Sequence, residues 1–110
     1  MNQDLDLKAK VKQILKVVQE LAPGRSVELR IPTYAAIQCV GGSTHRRGTP
    51  PNVVEMKAET LISLLERPEH WTKFCDSGAI SASGTNSNLG NLFVQVSKLM
   101  NSEVRSENGE

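Results

Sequence analysis

The spacing of apolar residues changes several times along the chain, and each change marks an element. Leu7, Val11, Ile14, Leu15, Val18, Leu21 and Ala22 recur every three or four positions, which gathers them on one face of a helix. Lys8, Lys12, Lys16 and Glu20 fall elsewhere, and Asp4 and Asp6 stand at the start, where the helix dipole favours negative charge. Pro23-Gly24 ends the pattern, so the spacing predicts a helix over about residues 4–22.

From Ser26 the period falls to two. In SVELRI, Val27, Leu29 and Ile31 alternate with Glu28 and Arg30, as in a half-buried strand. Pro32-Thr33 interrupts this, and Tyr34 to Val40 reads as a second, more apolar strand that stops at the turn signal Gly41-Gly42. Ser43 to Gly48 is polar enough for a third strand at an edge. Thr49-Pro50-Pro51 is held extended, and Asn52 to Met56 is the fourth strand. The short connections predict an antiparallel meander for the first three.

The helical period returns at Lys57, with Leu61, Leu64 and Leu65 on one face. Pro68 cannot continue this helix but can open the next, which carries His70, Trp71, Phe74 and Cys75 and closes at Gly78. Ala79 to Ser83 is the fifth strand. Gly84-Thr85-Asn86-Ser87-Asn88 is a turn rich in capping residues. Leu89, Leu92, Phe93, Val96, Leu99 and Met100 then make one apolar stripe on a closing helix that is expected to end near Met100. The polar residues 101–110 are expected to be a disordered tail, leaving residues 1–100 as a single domain.

Composition narrows the class. A chain of 110 residues supports one core, and 38% hydrophobic residues is ordinary for a globular domain. No apolar run approaches the roughly 20 residues of a membrane span, and MNQDLDLKAK lacks the apolar core of a signal peptide. A net charge of +1, with both signs interspersed, gives no footprint for nucleic acid or an anionic membrane. The spacing of Cys39 and Cys75 leaves a disulfide open, but buried free thiols in a reducing cytoplasm are the preferred reading.

Candidate chemistry is sparse. Cys39, Cys75, His45 and His70 would be four ligands for zinc, but no two stand at the usual short spacing, so no metal or cofactor is expected. Cys75 with His70 or His45 as base would be a thiol nucleophile; against it stands a buried thiol packing as a small hydrophobe, the preferred reading. Glu55, Glu59, Glu66, Glu69 and Asp76 read as solvated. His45, Arg46 and Arg47 could hold an anionic headgroup, although a solvated hairpin is weighted above that. The stripe of the last helix fits either a plain core or one wall of a cavity, because both bury the same face.

From about Val27 to Met100 the chain resembles the sterol carrier protein superfamily, and more closely its short bacterial members. The resemblance is carried by RIPTYAAIQCVGGSTHRRGTPPNVVEM and ETLISLLERPEHWTKFCDSGAISASGTNSNL, with Gly48 to Glu55 its most specific block. It implies an α+β fold, a five-stranded, mostly antiparallel sheet covered by helices. It also implies an apolar tunnel for non-catalytic binding or transfer of sterols, fatty acids or fatty acyl thioesters. It would place the tunnel wall on Leu61, Leu65, Phe74, Leu89, Leu92, Phe93 and Val96. The rival reading is a structural module that keeps the fold with a filled core and binds a protein partner. A thiol enzyme ranks last.

Overall fold

The computed structural model describes residues 2–42 and 51–109, with the side chains of residues 4–42 and 51–101. Helix α1 spans Asn2–Leu21 and buries Val11, Ile14, Leu15 and Val18, the arc expected from their spacing, with Val17 beside them. Leu21, at its last position, is 38% exposed. Strands β1 (Val27–Ile31), β2 (Ala35–Cys39), β3 (Asn52–Met56) and β4 (Ile80–Ser83) form one sheet in the order β2-β1-β3-β4. The fold is α+β, with four strands among the described residues rather than five. The expected third strand, Ser43–Gly48, lies outside the described residues together with His45, Arg46 and Arg47.

The third strand of the expected antiparallel meander lies outside the described residues, and its first two pair as expected. β1 pairs antiparallel with β2, but it pairs parallel with β3, matching Val27 to Asn52 and Leu29 to Val54. β3 and β4 are antiparallel. A parallel neighbour must start at the same end of the sheet as β1, and β2, running antiparallel, brings the chain back to that end. Burial explains the placement: Val27, Leu29 and Ile31 are all fully buried, so β1 takes an interior position, whereas Ala36 leaves β2 exposed enough for an edge. The inward alternation continues through Asn52, Val54 and Met56 of β3. On the opposite face Arg30 pairs with Glu28 at 3.2 Å and Glu55 at 3.7 Å, exposed pairs that add little stability.

Helices cover the inward face. α2 (Ala58–Glu66) buries Ala58, Leu61 and Leu64 and stops at Arg67, whose backbone is pulled out of the helical region by the following proline. Pro68–His70 is a single 3-10 turn leading into α3 (Trp71–Ser77), which ends at left-handed Gly78. α4 (Gly90–Gly109) lies against α1 and α2 and continues past the expected end at Met100; residues 102–110, most of the expected tail, are outside the described side chains. The hydroxyl of Ser97 donates to the Leu65 carbonyl at 2.7 Å, satisfying an end-of-helix acceptor of α2. α1 and the turn after it also cover β2, the edge among the described strands: Gln19 donates its side-chain amide to the Gln38 carbonyl at 3.2 Å, and Arg25 donates to the Gln38 side chain at 3.1 Å. Among the described residues no helix is long and apolar enough to cross a membrane.

Candidate functional site

The pairings place the start of β1, the end of β2, the start of β3 and the end of β4 at one end of the sheet. A cleft of about 630 Å³ opens there. One wall is Leu21 and Ala22 from the end of α1 with Val40 and Gly41 from the end of β2. The other is Thr85, Asn86, Asn88 and Leu89 from the β4–α4 connection with Leu92 and Gln95 of α4.

The first wall is built around an unusual backbone. Val40 has φ 65°, a left-handed conformation that a β-branched residue adopts only under constraint. The constraint is visible: the Val40 amide donates to the Ala22 carbonyl at 2.7 Å, and its carbonyl accepts from the Ser26 amide at 2.8 Å. Gly24, at φ 147°, packs its bare Cα against the Val40 carbonyl group, where any Cβ would collide. The proline-glycine signal that ends α1 therefore also seats the end of β2.

The second wall hangs on Asn52. This side chain is 2% exposed, and its amide donates to the Ser26 carbonyl at 2.9 Å and more weakly to the Ser26 hydroxyl at 3.3 Å. Its oxygen accepts from the Asn86 backbone amide at 2.9 Å. One buried amide thus ties the start of β1 to the turn that rims the cleft. Gly84, at φ 105°, makes room for it, since a Cβ there would stand 2.8 Å from Asn52 Cγ. Further along, Ser87 donates to the Gly84 carbonyl at 3.0 Å, and Asn88 Oδ1 accepts from the Gly90 amide at 2.8 Å, capping α4.

Of the residues expected to wall a tunnel, the cleft brings together Leu89 and Leu92. Leu61, Phe93 and Val96 are fully buried in the core, where Phe93 stacks on Trp71 with ring centres 6.3 Å apart. Leu65 and Phe74 are half-buried and pack against that core. The remaining cleft residues were not singled out as site residues. A signal for them existed in Gly84 to Asn88, a run of small hydrogen-bonding residues set directly before an apolar stripe, which reads equally as capping.

Among the described residues neither thiol is hydrogen-bonded to a histidine, and His45 lies outside them. Cys39 is buried, and burial pushes its pKa from 9.0 up to about 11. Cys75 is half-buried rather than buried as expected, because it lies on the flank of α3; burial, with a smaller contribution from Asp76, raises its pKa. The His70 ring meets Phe74 edge-on at 5.8 Å, and among the described residues no hydrogen bond joins it to Cys75. No group of three or more His, Cys, Asp or Glu among the described residues is arranged to hold a metal.

Fold and cleft together define a small α+β domain, with a sheet covered on one face by helices and a cleft at its end. The family of bacterial orthologs of the sterol carrier protein (SCP) matches residues 4–94, and the chain belongs to that family. Among solved structures it is similar to the ubiquinone synthesis protein UbiJ-SCP2, at 14% identity and a TM-score of 0.47, over 77% of this chain and 74% of that one. No curated protein matches the chain.

Proposed function

We propose that this domain binds an apolar ligand without catalysis, in the class of sterols, fatty acids and fatty acyl thioesters, and holds it in the cleft at the end of the sheet. The observation that carries the reading is the cleft itself. At about 630 Å³ it lies within the range of small-molecule sites, and Leu21, Ala22, Val40, Leu89 and Leu92 supply its apolar lining beside the polar Thr85, Asn86, Asn88 and Gln95. Membership of the sterol carrier family supports the same ligand class. Two free thiols are compatible with a reducing cytoplasm.

The test pairs lipid extraction with variants. Mass spectrometry of natively purified protein should find a co-purifying lipid. Leu21→Gln with Leu92→Gln, both at positions that are not fully buried, should abolish binding of a fluorescent lipid while leaving the unfolding midpoint nearly unchanged. The second reading, an interaction module with a filled core, is favoured by the complete burial of Leu61, Phe93 and Val96. Absence of any bound or bindable lipid would leave that reading standing.

A further inference from the structure

One chain of hydrogen bonds joins the two walls of the cleft. It starts at the Ala22 carbonyl, which accepts from the Val40 amide at 2.7 Å. The Val40 carbonyl accepts from the Ser26 amide at 2.8 Å, and the Ser26 carbonyl accepts from the Asn52 side chain at 2.9 Å. Asn52 Oδ1 then accepts from the Asn86 amide at 2.9 Å. Ala22 and Val40 line one wall and Asn86 lines the other, whereas Ser26 and Asn52 stand behind them, 3% and 2% exposed.

Two glycines hold members of this same chain in place. At Gly24 a Cβ would meet the Val40 carbonyl group, and at Gly84 it would meet the Asn52 side chain. Both glycines have positive φ, so each combines a turn with a close approach that a larger residue would prevent. Val40 keeps its left-handed conformation because its amide and its carbonyl are both engaged in the chain.

We propose that Asn52 is a positioning residue for the ligand: through Ser26 on one side and Asn86 on the other, it sets the separation of the cleft walls before a ligand arrives. The proposal rests on the cleft being the ligand site. A site formed in advance binds more tightly, because its rim need not be ordered in the binding step. Without the Asn52 carboxamide the turn at Thr85–Asn88 loses its tie to the sheet, and the cost of ordering it moves into binding. Ser26 serves through its main-chain groups, and its hydroxyl is a weaker acceptor at 3.3 Å.

Nile red titration and backbone amide exchange on the full chain test this. Leu21→Gln with Leu92→Gln should abolish Nile red binding, which locates the probe in the cleft. Asn52→Ala should bind Nile red roughly tenfold more weakly than the parent. Leu64→Ala, a buried truncation on α2, loses stability as well but should bind within about twofold of the parent. Ser26→Ala keeps the main-chain groups and should also stay within about twofold. In the ligand-free parent the Asn86 amide should exchange slowly, although the residue is exposed, and Asn52→Ala should remove that protection. Equal weakening in Asn52→Ala and Leu64→Ala, or none in Asn52→Ala, would reduce Asn52 to a stability residue and overturn the proposal. Should Asn52→Ala fail to fold, the parent decides: an Asn86 amide that exchanges fast until Nile red is bound overturns the proposal, and one already slow without the probe supports it. If the parent does not bind Nile red, or the double glutamine variant binds it equally well, the cleft reading itself falls and takes the proposal with it.

Discussion

Replacing Asn52 probes the link between the sheet and the cleft. Its side chain makes two short hydrogen bonds, both at 2.9 Å, to the Ser26 carbonyl and from the Asn86 amide. At about 0.5–1.5 kcal/mol net for each, their loss in Asn52→Ala amounts to about 1–3 kcal/mol. The lower half of that range applies, because the Asn52 backbone amide still reaches the Ser26 carbonyl at 3.3 Å and Asn86 is exposed to water. Adding a small void, the expected cost is about 2 kcal/mol, a sizeable share of the roughly 5–15 kcal/mol that holds such a domain together. Asn52→Asp is the more telling change. One oxygen can still accept from Asn86, but the other faces the Ser26 carbonyl, at a position only 2% exposed. Burial and that carbonyl raise the pKa of the new carboxyl, so the folded state holds its proton more tightly than the unfolded chain. Stability is then retained below the unfolded pKa of about 3.9 and lost as pH rises through the folded value. Urea unfolding of the parent and both variants at about pH 5 and pH 8 measures this directly. An Asn52→Ala loss within about 0.5 kcal/mol of zero, or an Asn52→Asp protein as stable as the parent at both pH values, would refute the reasoning.

Three further outcomes follow from the same geometry. Phe93→Ala, at a fully buried position stacked on Trp71, should cost about 3–5 kcal/mol in urea unfolding, whereas a loss near 1 kcal/mol would show that the side chain borders empty space. Gly84→Ala should destabilise more than Gly78→Ala: both have positive φ, but only at Gly84 does the added Cβ meet Asn52, so equal losses would contradict the packing. For Cys39, whose pKa rises from 9.0 to about 11 on folding, the thiol's contribution to stability is full below pH 9.0 and is lost as pH rises toward about 11. Cys39→Ala should flatten the alkaline limb of the stability profile, and a thiol reagent at neutral pH should modify Cys75 before Cys39.

Periodicity was enough to find the elements. The switch of period at Pro23-Gly24 separated α1 from β1, and Pro68 divided α2 from α3. Pairing was not legible, because the alternation in Val27–Ile31 records which face is buried and carries no information on which strand lies alongside. The left-handed Val40 had no signal either, since a β-branched residue is a poor candidate for φ 65° and only its hydrogen-bonded surroundings hold it there. The cleft was half legible. Leu89 and Leu92 stood out in the stripe, while Leu21, Val40 and Gln95 join them only through tertiary packing. Asn52 could have been found: it keeps step with Val54 and Met56, so a period of two turns a polar side chain inward, and such a residue needs buried partners.

The parallel alignment of β1 with β3 has a kinetic consequence. Hairpin β1–β2 can close early, because its partners are near neighbours along the chain. It cannot template the rest of the sheet by zipping onward from β2, since β3 joins β1 on the side away from β2, and β4 follows β3 only after α2 and α3. Each later pairing closes a large loop before any contact rewards it. The rate-limiting barrier is therefore expected at the docking of β3 beside β1. Substitutions at Val54 should slow refolding, and those at Ala36 should act mainly on unfolding.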